Sequence, residues 1–241
     1  MRIDNGELAG IIVSGADKLN ISLPPGALDS FGMYYRFLEE RGQNINLTAI
    51  EGLKDVAALH FLDSLALLNT ARFKDARVID VGSGAGFPGV PLKIAEPSIK
   101  LTLLDSAGKR IMFLRELCEL LEIEAVCVHA RAEESANETC MRESYDIAVS
   151  RAVAELNILC ELCLPYVRIG GFFIAMKSTG SGDETGNSCA AMNMLGAELQ
   201  SCIDYAIPGT DISHRAVVIH KIAYTPVKYP RRYARIKKTP L

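Results

Sequence analysis

The chain has 241 residues, a net charge of −3 and 49% hydrophobic residues, a length that suits one α/β domain with an N-terminal addition. No run reaches the ~18 apolar residues needed to cross a bilayer, and the opening MRIDNGELAG lacks the basic-then-apolar order of a secretory signal. A cytoplasmic protein without a membrane partner is expected, and its seven cysteines, odd in number and without framework spacing, are expected as reduced thiols.

The first third reads as helical. Leu8, Ile11, Ile12 and Leu19 form one apolar stripe, predicting a helix over 4–20. Leu28, Phe31, Tyr35 and Leu38 form another, predicting a helix over 26–42, and Leu23-Pro24-Pro25-Gly26 separates the two. After Asn44-Ile45-Asn46-Leu47-Thr48 a third helix is expected over 52–69. It carries His60, Asp63 and Ser64, with His60 and Ser64 on one face. Residues 1–72 are read as an N-terminal helical region and 73–241 as the domain it is attached to.

Strands alternating with helices begin at Ala76, the pattern of a parallel sheet covered on both faces. Val78, Ile79 and Val81 end in a turn holding Gly82, Gly84, Gly86 and Gly89. Such a turn lets a ligand approach bare backbone. Pro88 fits the first turn of the next helix. Two registers compete. Gly84, Gly86 and Gly89 match the G-x-G-x-x-G dinucleotide pattern, but Pro88 crowds the place of the pyrophosphate. Asp80-x-Gly82-x-Gly84-x-Gly86 resembles the first motif of S-adenosylmethionine (SAM)-dependent methyltransferases. A strand-end carboxylate repels a pyrophosphate and suits a cofactor with cationic amino and sulfonium groups, so the second register is preferred.

A second strand over 99–104 ends at Asp105, which can accept hydrogen bonds from ribose hydroxyls or cap the next helix. Strands follow at 125–129, before Arg131-Ala132-Glu133, and at 145–149, before Ser150-Arg151-Ala152. A helix is expected over 153–165. Its Cys160 and Cys163 lack the second pair or histidines of a zinc site and read as core thiols, so no metal is expected. A fifth strand covers FFIAMK, residues 180–190 read as an exposed loop, and 199–207 with 216–223 suggest a closing antiparallel pair. From Ile212 to Leu241 the chain has no acidic residue and eight lysines and arginines. That asymmetry points to a polyanion met from the C-terminal end.

The loop after the fourth strand has neither the N-P-P-Y of adenine amino-methylation nor the Pro-Cys of pyrimidine carbon methylation. DVGSGAGFPGVPLKIA, LLDSAGKRIMFL, ARAEE, SRAVAEL, NLT, HFLDS and RAVVIHKIAYTPVKYPR together resemble the small-subunit ribosomal RNA methyltransferase G (GidB) family, from about residue 25 to the end. The resemblance implies a Rossmann-like class I SAM-dependent methyltransferase fold, a seven-stranded α/β sheet with an N-terminal helical extension. It implies methylation of N7 of a guanine in 16S ribosomal RNA. By motif position it implies SAM contacts from Gly82, Phe87, Ala132, Glu133 and Arg151. Arg151 is the residue expected to orient donor and acceptor, without a general base. Asp105 is added on the ribose from the fold. His60, Asp63 and Asn46 would shape the acceptor side, and Lys177, Arg231, Arg232, Arg235, Lys237 and Lys238 would meet RNA phosphate. Arg41-Gly42 and Leu59 depart from the family pattern at positions that bear on RNA grip. A small-molecule methyltransferase and a non-catalytic RNA-binding module stand as alternatives.

Overall fold

The computed structural model describes residues 5–42, 47–48, 50–151, 154–179 and 184–241. Asn46, Ala152 and Asp183 lie outside the described residues. Seven strands form one sheet: β1 (Arg77–Val81), β2 (Lys100–Asp105), β3 (Ala125–His129), β4 (Tyr145–Arg151), β5 (Val167–Ser178), β6 (Ala197–Ala206) and β7 (Ser213–Lys221). Their order is β3-β2-β1-β4-β5-β7-β6. The first five run parallel, and β7 is antiparallel to both β5 and β6. The closing pair is antiparallel, as the sequence suggests.

Period-two alternation sorts the strand residues between two cores. Val78, Leu101, Leu103, Val149 and Val218 face one side, packed with Leu8, Ile12, Phe31, Tyr34 and Phe61 of the N-terminal helices. Ile79, Val81, Leu104, Ala175 and Val217 face the other, packed with the Leu156–Cys163 helix and with Ile236 near the C-terminus. Both faces are covered, which is why the parallel strands read as nearly continuous apolar runs.

The N-terminal helices span Asn5–Lys18 and Ala27–Gly42. The third helical run is continuous but changes pitch. It is α-helical at Leu53–Val56, π-helical at Ala57–Leu62, α-helical again at Asp63–Leu65 and 3-10 at Ala66–Asn69. The widened turn contains Leu59 and His60, and such turns concentrate at functional sites. The region expected as a loop is corrected in part. Glu184–Asn187 and Cys189–Met194 are short helices, because Ala191 and Met192 bury against the second core despite a Gly/Ser-rich approach. Pro88 sits at the N-cap, with the helix itself at Gly89–Ala95. Cys160 and Cys163 are wholly buried thiols. No cluster of potential metal ligands and no helix long and apolar enough to cross a membrane occur among the described residues.

Candidate active site

Strand order reverses between β1 and β4, and open α/β sheets bind ligands at such a switch point beyond the carboxyl ends of the strands. A cavity of about 500 Å³ lies there, within the usual range for small-molecule sites. Its floor is the glycine turn. Gly82, Gly84 and Gly86 have φ of +78°, +59° and +102°, values that favour residues without a Cβ. A Cβ on Gly84 would meet nothing nearer than the Gly82 carbonyl at 3.9 Å, so that part of the turn is open to a ligand. At Gly86 a Cβ would stand 2.7 Å from Tyr34 Oη and 2.9 Å from Val90 Cγ2. Tyr34 reaches in from the second N-terminal helix and donates its hydroxyl to the Ala85 carbonyl at 2.6 Å. The helical region thereby fixes the turn.

Asp80 is where sequence reasoning needs correction. It does not line the cavity. It is wholly buried beneath the turn, where Oδ2 accepts the Gly89 N–H at 2.8 Å. A Cβ on Gly89 would stand 2.8 Å from that oxygen, so the fourth glycine serves the carboxyl group, not a ligand. Burial pushes the Asp80 pKa up to about 7, against the lowering effect of the Gly89 hydrogen bond. Its side chain leaves the strand end on the face that packs against the N-terminal helices.

Asp105 does line the cavity. Its Oδ2 accepts the Gly84 N–H at 3.0 Å and its Oδ1 accepts the Ala107 N–H at 2.8 Å. A carboxylate has about four acceptor sites, so two bonds to backbone leave capacity for ligand hydroxyls. Ala132 and Glu133 line the same cavity, at the start of the Ala132–Ser135 helix. Phe87 also lines it, in a stack of three rings. Its ring centroid is 5.1 Å from that of Tyr34 and 4.3 Å from that of His60, both stacked on it.

Arg151 stands at the end of β4, its guanidinium 4.9 Å from the Phe87 ring centroid. Nη1 donates to the Leu59 carbonyl at 3.0 Å, in the widened helical turn, and Nη2 donates to His60 Nδ1 at 3.0 Å. A guanidinium only donates, so Nδ1 accepts and the imidazole proton sits on Nε2, which donates to Thr48 Oγ1 at 2.7 Å. Burial and the Arg151 charge hold the His60 pKa down at about 3. Neutral His60 is therefore a fixed part of the wall. Behind it lies Asp63, 1% exposed. Its Oδ1 accepts from Tyr205 Oη and His214 Nδ1, each at 2.9 Å, and Oδ2 lies 3.6 Å from Arg151 Nη1. The Asp63 hydrogen bond raises the His214 pKa.

A second cavity of about 700 Å³ opens on the far side of this wall, lined by Asp63, Glu155, Lys177, Glu184 and His214 as well as by His60 and Arg151. Tyr205 and His214 are site residues that sequence reasoning missed. A signal was present: His214, the second residue of β7, shares a strand face with the core residues Ala216 and Val218.

The expected phosphate contacts divide into two groups. Lys177 Nζ donates to the Ala154 carbonyl and to Glu184 Oε2, both at 2.7 Å. Arg231 uses its backbone N–H, Nε and Nη2 on the wholly buried Glu161, at 2.8, 2.8 and 2.6 Å. Both charges are paired with carboxylates of the protein, unlike the free cations expected to meet RNA phosphate. Arg232, Arg235, Lys237 and Lys238 are exposed on or beside the Tyr233–Lys238 helix.

A seven-stranded sheet of this order, with a glycine turn flooring a cavity at its switch point, defines a class I methyltransferase fold. The M. jannaschii protein TYW2, solved in complex with AdoMet, superposes with a TM-score of 0.52 at 11% identity, over 66% of this chain and 75% of that one. The family model for rRNA small subunit methyltransferase G, GidB, matches residues 27–208. Proteins named Ribosomal RNA small subunit methyltransferase G from Alkaliphilus oremlandii and Acetivibrio thermocellus are 47% and 42% identical to this chain. Each alignment covers 98% of this chain, and 99% and 97% of the respective relative. The chain belongs to the rRNA small subunit methyltransferase G family.

Proposed function

We propose that this enzyme, in the cytoplasm, transfers a methyl group from S-adenosylmethionine to N7 of a guanine in the 16S ribosomal RNA of the small subunit. The observation that carries the reading is the shared wall. Arg151 and His60 separate a cavity floored by bare backbone from one lined by ionisable side chains. Donor and acceptor would meet across it. Gly82 and Gly84 would lie under the donor, Asp105 would accept its ribose hydroxyls, and Ala132 and Glu133 would flank its adenine. Phe87 and Arg151 would stand at the methyl end.

SAM supplies an electrophilic methyl group on a sulfonium. Guanine N7 has a free lone pair, so the protein needs no general base, in contrast to transfers that must first remove a proton. In balance, the N7–carbon bond forms as the sulfur–carbon bond breaks, and positive charge passes from sulfur to the purine. Asp63, Glu155 and Glu184 line the acceptor side, where carboxylates suit a cationic ring. The work left to the chain is alignment, worth on the order of 7–11 kcal/mol in well-oriented systems. Arg151, held by Leu59, His60 and Asp63, is the aligning residue.

Family membership supports RNA as the acceptor over a small molecule, which would leave the exposed C-terminal cations without a role. The open cavity over Gly84 argues against a non-catalytic RNA-binding module. Calorimetric titration with SAM is expected to show binding. Ribosomal RNA from cells lacking the gene is expected to lose one 7-methylguanine, restored by the wild-type gene and not by Arg151→Ala. A chain that does not bind SAM, or an unchanged 7-methylguanine content, would overturn the proposal.

A further inference from the structure

We infer that Tyr233, carried in by the C-terminal segment, forms part of the donor cavity at its adenine end and binds the adenosyl group there. The inference rests on the proposed use of SAM. It comes from tracing the chain past β7. That strand runs antiparallel to β5, so it ends at the side of the sheet opposite the cavity. The segment beyond it is pinned there. Ile222 and Ala223 donate their N–H groups to the Gly196 carbonyl, each at 2.9 Å. Arg142, just before β4, donates to the Thr225 and Tyr229 carbonyls at 2.8 and 3.0 Å. The chain then returns along the Leu156–Cys163 helix, clamped by Arg231 on Glu161.

The clamp positions the residues on either side of it. Leu162, one residue after Glu161, and Tyr233, two residues after Arg231, both line the donor cavity. Tyr233 packs with the core on the same face as Ala130 and Ala132, whereas Phe87 belongs to the opposite core. The cavity is therefore lined by aromatic residues from both cores, Phe87 from one face of the sheet and Tyr233 from the other. Ile236, wholly buried, ties down the next turn. An apolar edge carrying a tyrosine, in a cavity that the Glu133 carboxylate also lines, offers what a purine takes: one face for stacking, one acceptor for an exocyclic amine. Nothing else in the C-terminal segment reaches the cavity among the described residues.

The test is calorimetric titration with S-adenosylhomocysteine, which binds without turnover. Tyr233→Ala is expected to weaken binding about tenfold, the size of effect found when a stacking ring under a base is removed. Tyr233→Phe, which keeps the ring, is expected to stay within about twofold of wild type. Should Tyr233→Ala fail to fold, as judged by its thermal transition, Tyr233→Leu replaces it, with the same direction of change. A folded Tyr233→Ala or Tyr233→Leu that binds as tightly as wild type would overturn the inference while leaving the proposed function intact. Wild-type protein that binds no S-adenosylhomocysteine would instead remove the reading on which the inference stands.

Discussion

The two cavities that meet at Arg151 are built in different ways. The proposed donor side is floored by backbone at Gly82 and Gly84, with Asp105 at the end of β2 tying the turn to that strand. The acceptor side is mostly side chains gathered from distant parts of the chain. Asp63 meets Tyr205 and His214 across 142 and 151 residues. A backbone floor suits a cofactor that is the same in every turnover. A wall of charged and polar side chains can distinguish an acceptor and carry the charge that develops on it. The comparison also explains why Arg151 is the most sensitive position, since among the described residues of β4 it alone donates hydrogen bonds to the wall.

The largest effect is therefore expected from Arg151→Ala. It removes the partner of the Leu59 carbonyl and of His60 Nδ1 and takes away the guanidinium 3.6 Å from Asp63 Oδ2. Misplacing reacting groups by about 1 Å can cost on the order of 100-fold in rate. Methyl transfer by Arg151→Ala is expected to fall at least that far, in a single-turnover assay. Arg151→Lys is expected to recover little, because one ammonium cannot span the three partners. Recovery of full rate by lysine would show that charge alone matters at this wall.

Gly86→Ala tests the donor side. The added Cβ meets Tyr34 Oη and Val90, at a backbone φ of +102°. Strain and overpacking together are expected to cost about 2–4 kcal/mol of unfolding free energy, measured by urea denaturation. Gly84→Ala sits over open space, so it carries only the smaller cost of its own φ of +59°. Its effect is expected on cofactor affinity rather than on stability.

Two buried groups, one under each side of the wall, make opposite contributions to pH dependence. Asp80 has its pKa raised from 3.8 to about 7. Its contribution to stability is full below pH 3.8 and is lost as pH rises to about 7. His60 has its pKa lowered from 6.5 to about 3. Its contribution is full above pH 6.5 and is lost as pH falls to about 3. Between about pH 4 and 6.5 the two oppose each other. Asp80→Asn is expected to leave the histidine slope, so that stability relative to wild type gains with rising pH by up to about 1.4 kcal/mol per unit. His60→Gln is expected to give the reverse trend. Denaturation midpoints across that range check both, and parallel curves for wild type and both variants would contradict the opposed roles.

The same division decides what could be read in the sequence. Much that is local was legible, including the glycine turn, the strand end at Asp105 and the helix breaks at Pro24 and Pro25, whereas the short helices Glu184–Asn187 and Cys189–Met194 were not. Pairings across the chain were not. Lys177 and Arg231 look like any other cation in a basic stretch until Glu184 and Glu161 are placed beside them. Glu161 was the available signal, a carboxylate inside the apolar run LNILCELCLPYV that cannot be buried without a partner. Asp80 failed for a related reason. Its position at the strand end was correct, but which face of the sheet its side chain enters depends on the helices packed there. Asn46 lies outside the described residues.

The smallest effect on stability is expected from the exposed cations, and comparing them with Arg231 separates the two kinds most directly. Arg232, Arg235, Lys237 and Lys238 are exposed, whereas Arg231 is clamped to Glu161. On a single strand each phosphate neutralised contributes about 0.7 to the slope of log affinity against log salt concentration. Replacing the four exposed cations with Ala is expected to make that slope less steep by up to about 3, with the melting temperature little changed. Arg231→Ala leaves a buried carboxylate without its cation, which costs about 3–5 kcal/mol. It is expected to lower the melting temperature and to leave the salt slope of the remaining folded protein as it was. Fluorescence anisotropy with a labelled single-stranded RNA at a series of salt concentrations reads the slope for each variant. A shallower slope in Arg231→Ala, matched by an unchanged one in the fourfold variant, would place the RNA on the clamp instead of on the exposed helix.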